Sequence, residues 1–320
     1  MTKAKRRLPG TAYFLSPVCD RKEFRLKPTN ETKAAFAFTL VESATKHGID
    51  IIAVMQMSSH YHAVVYDRLG TLSDFLRDFH GVMGRFGSAR DEVENTKFWS
   101  AEDSETKEIG DMDTMVELVA YTLANPTKDF IVAKPEEWAG AMTPVDSLGS
   151  GAGKVYKRPV RFFDPGGMTS EAVMLGSDYP WELDELMPLA EFKRRVAARV
   201  DVYVADANVE VKAGRRKFAG LETVKNLSVW HSAERAVGSK PEAESGRHAK
   251  RRERVAAATQ GRLQAMLESL LAFRAAHRKA WNAFRRGVHD VVFPAGSWKA
   301  WRFYGAKREV GVNTTLEAPS

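Results

Sequence analysis

Cysteine is almost absent: Cys19 is the only one in 320 residues. A single thiol excludes an internal disulfide framework and any zinc site built on cysteine. No thiolate-stabilising pattern surrounds Cys19, so a buried structural thiol is expected. Long hydrophobic runs are missing as well. No stretch approaches the roughly 18 apolar residues that a membrane-spanning helix needs. The basic start, Lys3 to Arg7, meets Pro9-Gly10 before any apolar segment of the signal-peptide kind can begin. The expectation is a cytoplasmic chain with no membrane partner, nucleoid-associated if prokaryotic. No internal repeat is visible.

What is present is a hydrophobic content of 44%, enough for a real core and too much for wholesale disorder. The formal charge of +7 favours anionic partners such as nucleic acid. The length allows one large domain or two ordinary ones.

Strand-like residues occur over 11–26 around a turn. Thr29-Asn30 supply capping oxygens for a helix from about Glu31 to His47, which Gly48 closes. Phe36, Leu40 and Ala44 make its apolar stripe. Ile49 to Met57 reads as a strand, Ser58-Ser59 as a turn and His60 to Tyr66 as the next strand. Two strands joined so tightly are antiparallel. A second helix is predicted from Leu72 to about Arg85, with Leu72, Phe75, Phe79, Val82 and Phe86 inward and Arg77 and Arg85 off that face as candidate nucleic-acid contacts. Glu105 to Ile109 is a further strand. Met112 to about Ala124 is a third helix, ended by Asn125-Pro126 because the residue before proline avoids helical geometry. This order predicts an α+β domain, an antiparallel sheet with helices packed on one face, over residues 1–147.

Gly149-Ser150-Gly151 reads as a linker into a mixed extension over 148–245. There Val155 to Phe163 interleaves Lys157, Arg158 and Arg161 with aromatics. Such a run suits phosphates and stacked bases, and equally a packed strand whose lysines face water. No single periodicity orders 182–231. A polar stretch from Ser239 to Gly246 precedes a mainly helical, basic C-terminal region over 246–320. Its long helix is expected from Arg247 to about Arg286, with Arg247, Lys250, Arg251, Arg252 and Arg254 as a basic head for a polyanion. Trp298 to Tyr304 reads as a docked tail.

The most informative stretch is His60-Tyr61-His62. Alternate residues of a strand point to one face, so both imidazoles can hold one divalent metal. Tyr121 follows on the third helix, with Asn125 one turn ahead and Glu117 one turn behind, either able to offer oxygen to a cation. Mixed imidazole and oxygen ligands suit Mg²⁺ or Mn²⁺. Metal plus positioned tyrosine is a toolkit for cutting a phosphodiester through a covalent phosphotyrosine.

Met57-Ser58-Ser59-His60-Tyr61-His62 resembles the histidine–bulky residue–histidine (HUH) motif of single-tyrosine transposases. Tyr121-Thr122-Leu123-Ala124-Asn125-Pro126 resembles their signature of a tyrosine, three residues and Asn-Pro. The best match is to REP-associated tyrosine transposases, relatives of insertion-sequence transposases that act on single strands. The resemblance covers roughly residues 11–140. It implies a ferredoxin-like or RRM-like sheet, a divalent metal, and single-stranded or hairpin DNA as the substrate of a monomer or homodimer. It makes His60 and His62 metal ligands, Tyr121 the nucleophile and Asn125 the oxygen ligand. The chain departs from the pattern at Ser59, where asparagine is common, at Thr127, where an apolar residue is usual, and over Asp129 to Val132. The expected function is a metal-dependent DNA-cleaving and rejoining transposase. The alternatives are a non-catalytic hairpin DNA- or RNA-binding relative, a small-phosphoester hydrolase using Glu117, and a purely structural role for the histidines.

Overall fold

The computed structural model describes residues 4–94, 96–100, 104–159, 172–232, 253–311, 316 and 318. Strand β1 (Thr11–Ser16) leads through a short 3-10 turn to helix α1 (Asn30–His47). Strands β2 (Ile49–Gln56) and β3 (Tyr61–Asp67) follow, then helix α2 (Leu72–Asp91), strand β4 (Glu105–Ile109) and helix α3 (Met112–Lys128). Local chemistry sets the α1 limits. Thr29 Oγ1 accepts the Thr32 N–H at 3.1 Å, and Gly48 takes a left-handed φ of 61°, which a residue without Cβ adopts at little cost.

The sheet runs in the order β2-β3-β1-β4, all neighbours antiparallel. A fifth strand, β7, comes from far along the chain at Glu253–Ala256 and joins the outer edge parallel to β4. The sheet is therefore mixed, which corrects the fully antiparallel expectation. A parallel neighbour has to return from a distant segment, and short-range patterning does not reveal it.

Helices cover both faces, not one. Alternation divides each strand. Tyr13, Leu15, Tyr61, Ala63 and Val65 join Phe36, Phe75 and Phe79 of α1 and α2 in one core layer. Ala12, Phe14, Val64, Tyr66 and Ile109 join Met115, Val119 and Leu123 of α3 in another. A register shift between Ile51 and Ala53 lets β2 supply Ile51 to the first layer and Ile52 and Ala53 to the second. The bulge re-aims side chains without ending the strand. His62 belongs to the α3 face, since its ring stacks on Phe14 at 5.4 Å.

The later chain folds onto this core. The hairpin of β5 (Lys154–Lys157) and β6 (Ala172–Leu175) puts Tyr156, Val173 and Leu175 into the α1–α2 layer. Beyond a four-residue helix, α4 (Trp181–Asp184), comes α5 (Leu189–Lys212). Its Phe192, Val196 and Val200 bury against α3, giving the unordered 182–231 stretch its principal element. Then come α6 (Leu221–Asn226), β7, α7 (Gln260–Arg285) and α8 (Trp298–Tyr304).

These contacts cross both expected domain boundaries. The Gly149-Ser150-Gly151 segment is tied down rather than free: Gly149 N–H donates to Ser177 Oγ and Gly151 N–H to the Ser177 carbonyl, both at 2.9 Å. The long basic helix is also corrected. Residues 253–256 are a strand, and α7 starts only after Thr259, whose Oγ1 accepts the Arg262 N–H at 3.3 Å. The C-terminal tail docks as expected, with Trp298 Nε1 donating to Asp74 Oδ2 at 2.6 Å. Cys19 is fully buried, and burial pushes its thiol pKa up. No helix among the described residues is long and apolar enough to cross a membrane.

Candidate functional site

The turn carrying the histidines is held from outside as well as within. Met57 N–H donates to the His60 carbonyl at 2.9 Å, closing it. Cys19 N–H reaches the Ser59 carbonyl at 2.7 Å and Leu26 N–H the Ser58 carbonyl at 2.8 Å. His60 bridges to Val18 just before β3 begins. Ser59, where the transposase pattern commonly has asparagine, sets its Oγ 3.2 Å from His60 Nδ1. That contact orients the ring.

Helix α3 does not stop at Asn125-Pro126. Pro126 lies inside it and the helix continues to Lys128. Proline removes one backbone donor, and so close to the helix end that loss is small. The Pro126 carbonyl then collects the Ile131 and Val132 N–H groups at 2.9 and 3.4 Å, folding the following residues back. Residues 121, 125 and 128 thus share one helical face over two turns.

That face meets the histidines. The His60 and His62 ring centroids are 4.8 Å apart, and the Tyr121 ring lies edge-on to His62 at 5.3 Å and to Phe14 at 6.1 Å. The Asn125 carboxamide lies beside His60 and favours its charged form. His62 Nδ1 is buried with no hydrogen-bond partner among the described residues, and the buried Asn125 oxygen has no partner other than the neighbouring His60. Buried polar atoms are normally satisfied, and each orphan needs an explanation.

Burial lowers the pKa of both imidazoles, His62 the more strongly, with His60, Lys128 and Lys107 adding to the effect on His62. Neutral imidazole is the metal-binding form. Burial also raises the Tyr121 phenol, helped by Asp129 and Glu105. Among the described residues no three His, Cys, Asp or Glu side chains group as a metal site. Two imidazoles that burial holds toward the neutral form, with an unpartnered His62 Nδ1 and a buried amide oxygen beside His60, are donors that fit a cation accepting mixed ligands, such as Mn²⁺ or Mg²⁺.

Four side chains at this site escaped the sequence reading. Lys128 places its ammonium 3.5 Å from the Tyr121 ring centroid and 4.6 Å from that of Tyr203 on α5. Asp129 is open to solvent yet crowded enough for desolvation to raise its pKa, with His60 and Lys128 opposing. Ending the helix at Pro126 hid this pair. Lys107 stands across from Phe14 in the β1–β4 register, its ammonium 5.4 Å from that ring; the alternation of β4 was a usable signal. Tyr203 comes from an element the sequence did not resolve.

Glu117 is corrected. Its carboxylate accepts from Arg199 Nε at 2.6 Å and from the Tyr203 hydroxyl, and these donors keep it ionised despite partial burial. It clamps α5 to α3.

The expected nucleic-acid cations are scattered. Arg77 is paired with Asp74 and Asp78 at 2.7 and 3.1 Å. Arg85 is exposed on α2, beside an open crevice of about 680 Å³ on the far side of the sheet from Tyr121. Lys157 is exposed and Arg158 half-buried after the β5 edge. Arg254 pairs with Glu105 at 2.8 Å. Arg247, Lys250, Arg251 and Arg252 lie outside the described residues.

The sequence matches no protein-family model, and no curated protein matches it. One solved structure it resembles is that of a REP-associated tyrosine transposase bound to a REP hairpin, at 16% identity and a TM-score of 0.35. The alignment covers 43% of this chain and 79% of that one. A likeness at this level fixes neither activity nor substrate. The functional reading therefore stands on the motifs and on the geometry of His60, His62, Tyr121 and Asn125.

Proposed function

We propose that this chain is a metal-dependent transposase or nickase of single-stranded DNA that works through a tyrosine–phosphate ester. The observation that carries the reading is the meeting, on one face of the sheet and within one chain, of two imidazoles whose ring centroids are 4.8 Å apart, a buried carboxamide beside His60 and a tyrosine ring 5.3 Å from His62. His60, His62 and Asn125 would hold Mg²⁺ or Mn²⁺. When bound, the cation supplies Lewis-acid polarisation of the scissile phosphate.

The residues of the chain account for the remainder. The Tyr121 oxygen attacks phosphorus, forming an O–P bond as the bond to the 3′ oxygen breaks. The products are a 5′-phosphotyrosine and a free 3′-hydroxyl. Attack by another 3′-hydroxyl reverses the step and rejoins strands without ATP, because the ester conserves the bond energy. Burial keeps the phenol protonated at neutral pH, since its unperturbed pKa is about 10, so a proton acceptor must act during attack. The Lys128 cation against the ring favours the phenolate that develops. Asp129, beside His60 and Lys128, adds negative charge that draws a cation to the crevice.

Two results test this arrangement. Asp129→Asn is expected to weaken Mn²⁺ binding about tenfold, the size of effect outer partners have on metal sites. Calorimetric titration reads it, and an unchanged Kd would remove Asp129 from the cation's surroundings. Because Tyr121 already lies against His62 of its own chain, mixing Tyr121→Phe protein with His60→Ala protein is expected to restore no cleavage of a hairpin oligonucleotide. Recovery of activity in the mixture would mean that the tyrosine acts on a partner's metal.

A further inference from the structure

The C-terminal helices present a surface that the site above does not use. In the seven residues of α8, Trp301, Phe303 and Tyr304 are 44, 55 and 49% exposed. Scattered exposed apolar residues need no explanation, whereas contiguous ones mark interaction sites. Trp301 and Tyr304 are three residues apart and so share a helical face. Both are propped in place: the Arg308 guanidinium lies 4.1 Å from the Trp301 ring centroid, and Trp281 of α7 meets Tyr304 edge-on at 5.1 Å. Arg285, one turn after Trp281, extends the same side of α7.

The charge around these rings has one sign. Residues 260–311 contain ten Lys and Arg against three Asp and Glu. Arg285, Arg286 and Lys299 are exposed, and none has a carboxylate partner among the described residues. An apolar protein partner or a second copy of this face would bury those cations without counter-charge, which is costly. Duplex DNA would satisfy the cations but hides its base faces from the rings. Single-stranded nucleic acid satisfies both, phosphates on the cations and unstacked bases on the aromatics.

We infer that the α7–α8 corner is a docking platform for single-stranded nucleic acid, with Trp301 and Tyr304 stacking bases and Arg285, Arg286 and Lys299 meeting phosphates. The platform goes beyond the strand-breaking reading and holds whether or not Tyr121 reacts.

The test is anisotropy of a labelled oligothymidylate and of a labelled duplex of equal length with the full-length protein. Trp301→Ala combined with Tyr304→Ala weakens oligothymidylate binding about 10- to 100-fold and leaves duplex binding nearly unchanged. Trp301→Phe retains most of the affinity, because stacking needs only an aromatic face. Replacing Arg285 and Arg286 by alanine lowers the slope of log affinity against log salt by about 1.4, from about 0.7 per single-strand phosphate. That second variant touches no packed ring and decides the matter if the first fails to fold. The inference is overturned if the wild-type protein does not bind oligothymidylate, if the folded aromatic variant binds it normally, or if duplex binding falls equally. It is also overturned if the aromatic change alters only self-association. Covalent adduct formation on saturating hairpin DNA is read in the same variants, so loss of the adduct with intact oligothymidylate binding strikes the strand-breaking reading alone.

Discussion

Tyr121→Phe abolishes the covalent protein–DNA adduct while leaving hairpin DNA affinity nearly unchanged. The substitution removes one oxygen and keeps the ring, so the packing against His62, Phe14 and Lys128 survives. Only the group that forms the new bond to phosphorus is lost. Losing a nucleophile that acts as a unit with its surroundings costs on the order of 10⁴-fold or more in rate. Adduct yield on a hairpin-bearing single strand, read on a denaturing gel, measures it. Binding measured in parallel separates lost chemistry from lost recognition. A non-catalytic hairpin binder would form no adduct even as wild type, and the substitution would then change nothing.

The second large effect is at His60. His60→Ala lowers single-turnover cleavage on the order of 10³-fold, the several kcal/mol that Lewis-acid polarisation contributes, and the residual rate no longer responds to added Mn²⁺. Wild-type protein in excess chelator falls to the same level. His60 is the better position to change because its ring is only half-buried. His62 is 5% exposed and stacked on Phe14, so its removal also opens a cavity in the core. Full activity of His60→Ala, or of the wild type in chelator, contradicts the role given to the imidazoles.

Legibility followed how local each signal is. Helix α1 was readable because Thr29 and Gly48 mark its ends. The pair β2–β3 was readable because a short turn permits only antiparallel pairing. The site was readable for the same reason: His60 with His62 and Tyr121 with Asn125 are each related by a single element's repeat. What needed the tertiary structure was non-local. Strand β7 has four residues and pairs with β4 across nearly half the chain, and no short window carries that information. The second helical layer was invisible because Ile52 and Ala53 reach it through a bulge. Lys128 and Asp129 were lost to a rule about proline that this helix end does not obey. Glu117 looked available because its partners, Arg199 and Tyr203, lie 82 and 86 residues away.

Nucleotide mapping of the adduct tests the central claim most directly. The wild-type protein is incubated with labelled single-stranded hairpin DNA and Mn²⁺, the protein-linked band is digested, and the modified peptide is sequenced by mass spectrometry. The account predicts a 5′-phosphonucleotide on Tyr121 and on no other residue. Failure of folded, Mn²⁺-binding protein to form any adduct contradicts it. So does a nucleotide carried by Tyr203, whose ring lies 6.4 Å from that of Tyr121.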